Sequence, residues 1–573
     1  MKKKDKMKIL GIALLVLTAA AVVVTFIIVS RLSHPADKSI SEEHFKDSFS
    51  GTLENVYIRA NGPGEIIVLY DGKNYLAKET AAKQYTGVAD IEISQGKITK
   101  IYAKSGEVKG TLVSYTENSV QIEGYEPLSC SQTLPVYLVT NETKDSVEVR
   151  QTSVNNLVIG NSEVELVVAK GQACAIVQYK KDQVNNVRVL LKNGNEVLYS
   201  NIYITCDTAY TVDKESADKY CVTDAKSCLK GCKNGKEVRI HTKKGQLFIC
   251  DAKGNTKKSG YAGDFILRKQ KGGYVLINEL PIEEYVRYVL PSEMPASFSY
   301  EALKAQAVCA RTFAYRQMKN DTYAGYGANL DDTTAFQVYH ATKSFEVTDR
   351  AVEDTAGLVL THDGKLIECY YYSTSSGYSE NLEVWDAKSP GYLVAENHTK
   401  EKKINLSKKK NFHKFITSSV ESYDSESPYY RWTATLSGKL GMDEKYGCLK
   451  SLKINERSES GYILSLTAIF EKGERTYEKE NDIRFALGKY LLSLELSDGT
   501  KRTDYSSVPS ACFEIKSQKN GKIVLTGGGF GHGIGMSQYG ADGMGKDGKN
   551  WQDILNFYYN DVQVIDVFDL KQQ

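Results

Sequence analysis

Glu293 stands in the segment Pro291-Ser-Glu-Met-Pro295, a carboxylate between two prolines. Proline fixes its own φ, lacks a backbone N–H and pushes the residue before it towards extended backbone, so this corner is expected to be stiff. Leu290, Met294 and Phe298 flank it. An apolar surround penalises the ionised form and lifts a carboxyl above its free value of about 4.3, as a general acid requires. A plainer reading stands beside this one: a glutamate that caps the following helix or pairs with Lys304 or Arg311.

The second concentration of chemistry is Thr526-Gly-Gly-Gly-Phe-Gly-His-Gly-Ile-Gly-Met-Ser-Gln-Tyr-Gly540. It fits Gly-x-Gly-x-x-Gly in no register and no Gly-Lys-Ser/Thr follows, which argues against a phosphate cradle. It offers bare backbone around His532, with His532 and Gln538 able to hold hydroxyl or amide groups of a ligand; a tight structural turn is the other reading. The 73 basic and 71 acidic side chains nearly cancel, so no basic field exists to drive nucleic-acid binding. Among eleven cysteines, Cys206, Cys221, Cys228, Cys232 and Cys250 crowd one stretch without zinc-ribbon spacing, which reads as local bridges or buried thiols. No cofactor is implied.

These residues need elements to hold them. Pro281 can open a helix in which Ile282, Tyr285, Val286 and Val289 share a face, and that helix is expected to stop before Pro291. Ser299 can cap a second, running to about Met318, whose Leu303, Ala307, Ala310 and Ala314 imply close packing. Most other segments read as strands: Glu65-Ile-Ile-Val-Leu-Tyr70, Asp90-Ile-Glu-Ile-Ser94, Val164-Glu-Leu-Val-Val168, Gly357-Leu-Val-Leu-Thr361 and Cys369-Tyr-Tyr-Tyr-Ser373, separated by glycine and Asn-Gly breaks typical of antiparallel hairpins. The many tyrosines suit half-buried strands better than a sugar-stacking platform.

The fold class expected is α+β, mostly β-rich extracytoplasmic modules with a short helical segment carrying Glu293. Residues 9–30 are uncharged and apolar, long enough to span a bilayer, and follow five lysines that should keep residues 1–8 in the cytoplasm. A cleaved signal peptide is the rival, but its apolar region is usually shorter. The remaining division is a linker over 31–47, β-rich modules over 48–184 and a further domain over 185–570.

The run Leu280-Pro-Ile-Glu-Glu-Tyr-Val, then Pro291-Ser-Glu-Met-Pro, then Ala302-Leu-Lys-Ala-Gln-Ala-Val-Cys-Ala-Arg-Thr-Phe-Ala314 resembles the core of the stage II sporulation protein D family. The segment 531–541 is similar to that family's C-terminal signature. Weaker matches at Gln337-Val-Tyr339, Thr355-Ala-Gly-Leu-Val-Leu, Val384-Trp385, Arg484-Phe-Ala-Leu-Gly and Ile554-Leu-Asn-Phe-Tyr-Tyr559 extend the likeness over residues 185–570. The resemblance implies a bacterial peptidoglycan lytic transglycosylase acting on peptide-stripped glycan strands, with Glu293 as the catalytic acid. A sister branch is described as amidase enhancers, which implies an alternative: a non-catalytic glycan binder that stimulates a partner amidase.

His532 and Gln538 are then expected to face the ligand, with Gln337 and Tyr339 in support. Gln306 and Arg311 either reach the cleft or brace it. Some family members carry Cys and His zinc ligands near the strand that here reads Tyr372-Ser-Thr-Ser-Ser-Gly-Tyr-Ser379, and their replacement by serine and tyrosine leads us to expect no metal. A hydrolase would need a second carboxylate such as Glu284 or Asp332, both of which read as ordinary surface groups.

Overall fold

Two-residue turns ending in glycine organise many of the strands. Asp71-Gly72, Gln95-Gly96, Lys170-Gly171, Asp363-Gly364 and Asn520-Gly521 each carry two consecutive positive φ values. That backbone is the type I′ turn, whose twist matches a pair of antiparallel strands. Each of these turns joins antiparallel neighbours. The computed structural model describes residues 43–570 apart from 47, 63, 79–84, 132–133, 144–145, 180–181, 183, 257–258, 340–343, 419 and 444, and it is β-rich with few helices, an α+β fold. The apolar segment 9–30 lies outside the described residues; among those described, no helix is long and apolar enough to cross a membrane.

The chain divides into two compact units, one of residues up to Lys109 with Leu128–Val154 and Val164–Lys180, the other of Gly110–Pro127, Asn155–Glu163 and Lys181 onward. In the first, a six-stranded sheet runs in the order Glu43–His44, Lys73–Lys78, Glu65–Tyr70, Gly51–Gly62, Gly87–Ser94, Lys97–Ala103. Val56, Ile58, Ile66, Val68, Ala89 and Ile91 form one apolar cluster, while Tyr57, Leu69 and Val88 join Tyr137, Val139 and Val177 in another. Successive strand residues point to opposite faces, so a sheet covered on both sides reads as the unbroken run Ile66-Ile-Val-Leu69. Tyr57 and Tyr137 are core residues here, as the strand reading of tyrosine expects.

The second unit holds a seven-stranded sheet. Four of its members are β1 (Asn186–Leu191), β2 (Asp264–Gln270), β3 (Gly273–Pro281) and β4 (Leu330–Asp331), with β3 between β2 and β1, and β4 at the edge beside β1. β3 runs without a break into helix α1 (Ile282–Glu293), so the sheet sets the direction of the helix that ends on Glu293. Then come α2 (Tyr300–Gln317), α3 (Glu346–Glu353), α4 (Gln538–Lys546) and α5 (Trp551–Tyr558). All eleven cysteines are free thiols, with Cys206, Cys309, Cys369 and Cys512 buried.

A charge cluster crosses the sheet. Arg188 bonds Glu279 at 2.6 Å, Arg239 bonds Glu279 at 2.9 Å and Asp264 at 2.7 Å, and Arg268 bonds Glu237 at 2.7 Å. Arg188 and Arg268 are each 2% exposed. Burial by itself would raise the Glu279 carboxyl, but Arg188 and Arg239 outweigh it and hold the group below the usual carboxylate range. Removing one partner from such a set strands the other without its counter-charge, which costs more than the pair is worth. Arg188→Met is therefore expected to destabilise the protein by about 3 kcal/mol in urea unfolding, and a loss below about 0.5 kcal/mol would show the cluster to be only incidental to stability.

Candidate active site

α1 does not stop before Pro291 as its sequence suggests; it passes through Pro291 and ends on Glu293. Proline removes one donor and crowds the carbonyl four residues back, but two residues from the helix end it lies in the last turn, where little helix follows to be distorted. The last turn is held by its neighbours, the Ser292 hydroxyl donating to Tyr288 O at 2.8 Å and the Met294 N–H to Leu290 O at 2.9 Å. Leu290, although it precedes a proline, stays helical. The second proline acts as expected: Met294, before Pro295, is extended at φ −131 and ψ 131, and the chain leaves the helix there.

Ser299 starts α2 but does not cap it with its side chain. Its N–H donates to Asp542 Oδ1 at 2.7 Å and its hydroxyl to Asp542 O at 3.3 Å. Those two bonds tie the Glu293 corner to α4, 243 residues later in the chain. α2 is buried from Ala302 to Tyr315 except at Lys304, and it packs against α1, α3, α4 and α5.

The Glu293 residue is partly exposed, yet protein crowds its carboxyl group. Burial raises the carboxyl to about 7, against the pull of hydrogen bonds from the Val338 N–H and the Tyr371 hydroxyl, which favour the ionised form. The Val338 bond to Oε1 is 2.6 Å. A carboxyl near 7 exchanges its proton at neutral pH, the condition for one group to serve as acid and then as base.

Gln337 lies wholly inside, accepting from the Tyr285 hydroxyl at 3.1 Å and donating to Ala310 O at 3.3 Å and the Tyr371 hydroxyl oxygen at 3.1 Å. Tyr339 is fully buried with its hydroxyl on Asn278 Oδ1 at 2.6 Å. Arg311 forks onto both oxygens of Glu283 at 2.8 and 2.7 Å and reaches Leu358 O and Val352 O, joining α1, α2 and α3 from within. Gln538 Nε2 donates to Gln306 Oε1 at 3.4 Å, and Gln306 Nε2, also buried, has no partner.

His532 sits in a loop threaded through protein. Its Nδ1 accepts from the Ile534 N–H at 3.1 Å, so Nε2 carries the proton and donates to Tyr371 O at 3.0 Å. Burial and the nearby Arg484 charge lower its pKa to about 3, so the ring is neutral. Trp385 and Tyr372 lie against it. The flanking glycines admit neighbours from the protein itself: at Gly533 a Cβ would meet Tyr462 at 2.4 Å, and at Gly535, with φ +75, it would meet Tyr370 O at 2.0 Å.

The residues that sequence reasoning missed are Tyr371 and the Val338 N–H. A backbone donor leaves no trace in residue type. Tyr371 sat in a run of three tyrosines read only as strand, although alternation there turns it away from Tyr370 and Tyr372. The short strand β5 (Tyr371–Tyr372) pairs in parallel with β6 (Met536–Ser537), which brings the glycine signature to the same place.

Asp332 is a correction: it is buried rather than at the surface, accepting from Lys192 N–H at 3.1 Å. Glu284 is partly exposed. Cys369 lies buried against Cys309 and Tyr559. A cleft of about 1030 Å³, lined by Tyr125, Glu126, Lys214, Lys233 and Arg239 among others, shares no residue with this site.

The raised carboxyl has a consequence for stability. The folded chain holds the Glu293 proton more tightly than the unfolded one, so the stabilisation is full below about pH 4.3 and is lost as pH rises through about 7. Glu293→Gln removes that dependence. Relative to the parent, its stability is expected to rise by about 3 kcal/mol between pH 4 and pH 8 in denaturation curves; parallel curves at the two pH values would contradict a raised carboxyl.

The family model for stage II sporulation protein matches residues 270–362, a stretch holding α1, α2, Glu293 and the Gln337-Val338 segment, and a model for a domain of unknown function matches residues 379–535. The chain is 35% identical over 309 residues to stage II sporulation protein D of Bacillus subtilis, covering 50% of this chain and 75% of that protein. The corresponding protein of Bacillus amyloliquefaciens is 34% identical over 308 residues, with 50% and 75% covered. An amidase enhancer of Bacillus subtilis is 33% identical over 290 residues, covering 47% of this chain and 39% of the relative. With the Glu293 corner inside the matched domain and three quarters of a sporulation protein aligned, the chain belongs to the stage II sporulation protein D family.

Proposed function

We propose that the protein is a peptidoglycan lytic transglycosylase that cuts peptide-stripped glycan strands between N-acetylmuramic acid and N-acetylglucosamine. The observation that carries this reading is the Glu293 carboxyl, raised to about 7, whose modifiers are burial, a backbone N–H and a phenol rather than a second carboxylate. Hydrolysis of a glycoside ordinarily divides acid and base or nucleophile between two carboxylates. Intramolecular closure needs one. Protonated Glu293 gives its proton to the bridging oxygen as the C1–O bond breaks; the carboxylate then takes the proton of the muramyl C6 hydroxyl as that oxygen closes on C1. The product is a 1,6-anhydro end, and no water is consumed. Because the nucleophile belongs to the sugar, its proximity replaces a second catalytic side chain.

Gln538 and Gln306, a buried amide pair with one unpartnered donor, are the side chains we assign to ligand amide or hydroxyl groups. Mass spectrometry of digested naked glycan is expected to show anhydro ends with the parent chain and intact strands with Glu293→Gln. Reducing ends would replace this reading by hydrolysis.

A second reading follows from the relative named an amidase enhancer: a scaffold that binds glycan and stimulates a partner amidase without cutting. Under it, Glu293→Gln leaves amidase stimulation unchanged and the parent cuts nothing. In either case we place the described portion outside the cell, held by the apolar segment 9–30 with its lysines in the cytoplasm. Protease added to intact cells is then expected to destroy the portion from residue 43 onward; full protection in intact cells would reverse that topology.

A further inference from the structure

The hydrogen bonds behind Glu293 run in one direction. Tyr285 gives its hydroxyl proton to Gln337 Oε1, at 3.1 Å. That leaves Gln337 Nε2 as donor, and its two hydrogens go to Ala310 O at 3.3 Å and to the Tyr371 hydroxyl oxygen at 3.1 Å. Since Tyr371 accepts there, its own hydrogen is free to point elsewhere, and the group it faces is the Glu293 carboxyl. The residue after Gln337 supplies the other donor, the Val338 N–H, 2.6 Å from Oε1. From the opposite side His532 holds the Tyr371 carbonyl at 3.0 Å. Tyr285 and Gln337 are fully buried, so no water competes for these bonds, and an amide whose acceptor and both donors are taken cannot turn over.

We propose that Tyr285, Gln337 and Tyr371 form a directional relay that positions the Glu293 carboxyl, with His532 clamping its last member through the main chain, so that Gln337 and His532 serve the acid rather than touch the glycan. The inference rests on the reading of Glu293 as the acid and assigns it a support. The relay does two things to that group: it fixes the rotation of the carboxyl, and it offers two hydrogens that stabilise the carboxylate once the proton has left, the state in which Glu293 acts as base. The other ionisable groups around the relay include Cys309 of α2 beside Tyr371, Tyr339 against the Tyr285 ring, Asp331 and Asp332 beyond Tyr285, and Arg484 near His532.

Tyr371→Phe and Tyr285→Phe each delete one hydroxyl and keep the ring. Infrared titration of the full-length chain in detergent, with the Glu293→Gln spectrum subtracted, reads the one carboxyl without any substrate. Tyr371→Phe is expected to move its midpoint up by about one pH unit, and Tyr285→Phe, one link further back, to move it less in the same direction. On peptide-free glycan, Tyr371→Phe is expected to lower kcat about tenfold with KM unchanged and to shift the alkaline limb of the pH profile upward with the carboxyl. A merely structural role lowers the folded fraction and leaves the midpoint in place. Midpoints within about 0.2 unit of the parent in both variants overturn the relay. Because the titration needs no turnover, a parent chain that cleaves no glycan sinks the transglycosylase reading while the relay still stands or falls on its own midpoints.

Discussion

α2 is enclosed by protein along most of its length, so the polar groups it buries have to find their partners within the protein, and Gln306 Nε2 is left without one. An unpaired buried guanidinium is costly, so Arg311 fixes where Glu283 of α1 and the carbonyls of Val352 and Leu358 must lie. Thr312 turns its hydroxyl to Val308 O and accepts the Leu360 N–H. Ala302, Ala305, Ala307 and Ala310 let neighbouring elements approach closely. Once α2 is placed, α1 is placed, and with it the carboxyl at its last residue.

The same helix explains how two signatures far apart in sequence serve one site. Ser299 at its start is held by Asp542 of α4, and Gln306 in its interior meets Gln538 at the start of α4. Between them β5 and β6 pair over two residues, which puts Tyr371 level with the glycine segment. The glycines of that segment are required because its backbone passes against Tyr370 and Tyr462 where no Cβ fits. His532, neutral and spent on two main-chain groups, belongs to this framework.

The proton chemistry of Glu293 is a balance between opposed effects of similar kind. Burial favours the neutral acid; the donors Val338 and Tyr371 favour the anion. With burial alone the group would lose its proton too reluctantly to act as base, and with donors alone it would be ionised before it could act as acid. A carboxyl near 7 results from both acting together.

Residue type and spacing were enough to mark Glu293, the two helices on either side of its corner, the hairpin character of the β regions and the family, because periodicity, turn glycines and local motifs are properties of neighbouring residues. They also marked His532, Gln337 and Arg311, but not what those side chains do. Whether a histidine meets a ligand or a carbonyl depends on what is packed on both of its nitrogens, and the Tyr371 carbonyl comes from 161 residues away. The helix end was misplaced for a similar reason: the proline rule is local, while a proline in the last turn is tolerated when Ser292 and Met294 hold the turn around it. Asp332, read from its sequence as an ordinary surface carboxylate, is buried, where it accepts the Lys192 N–H from 140 residues away. Only the tertiary structure could turn a nearby tyrosine and a backbone N–H towards the acid, since both are brought to it by contacts between segments that the chain keeps far apart.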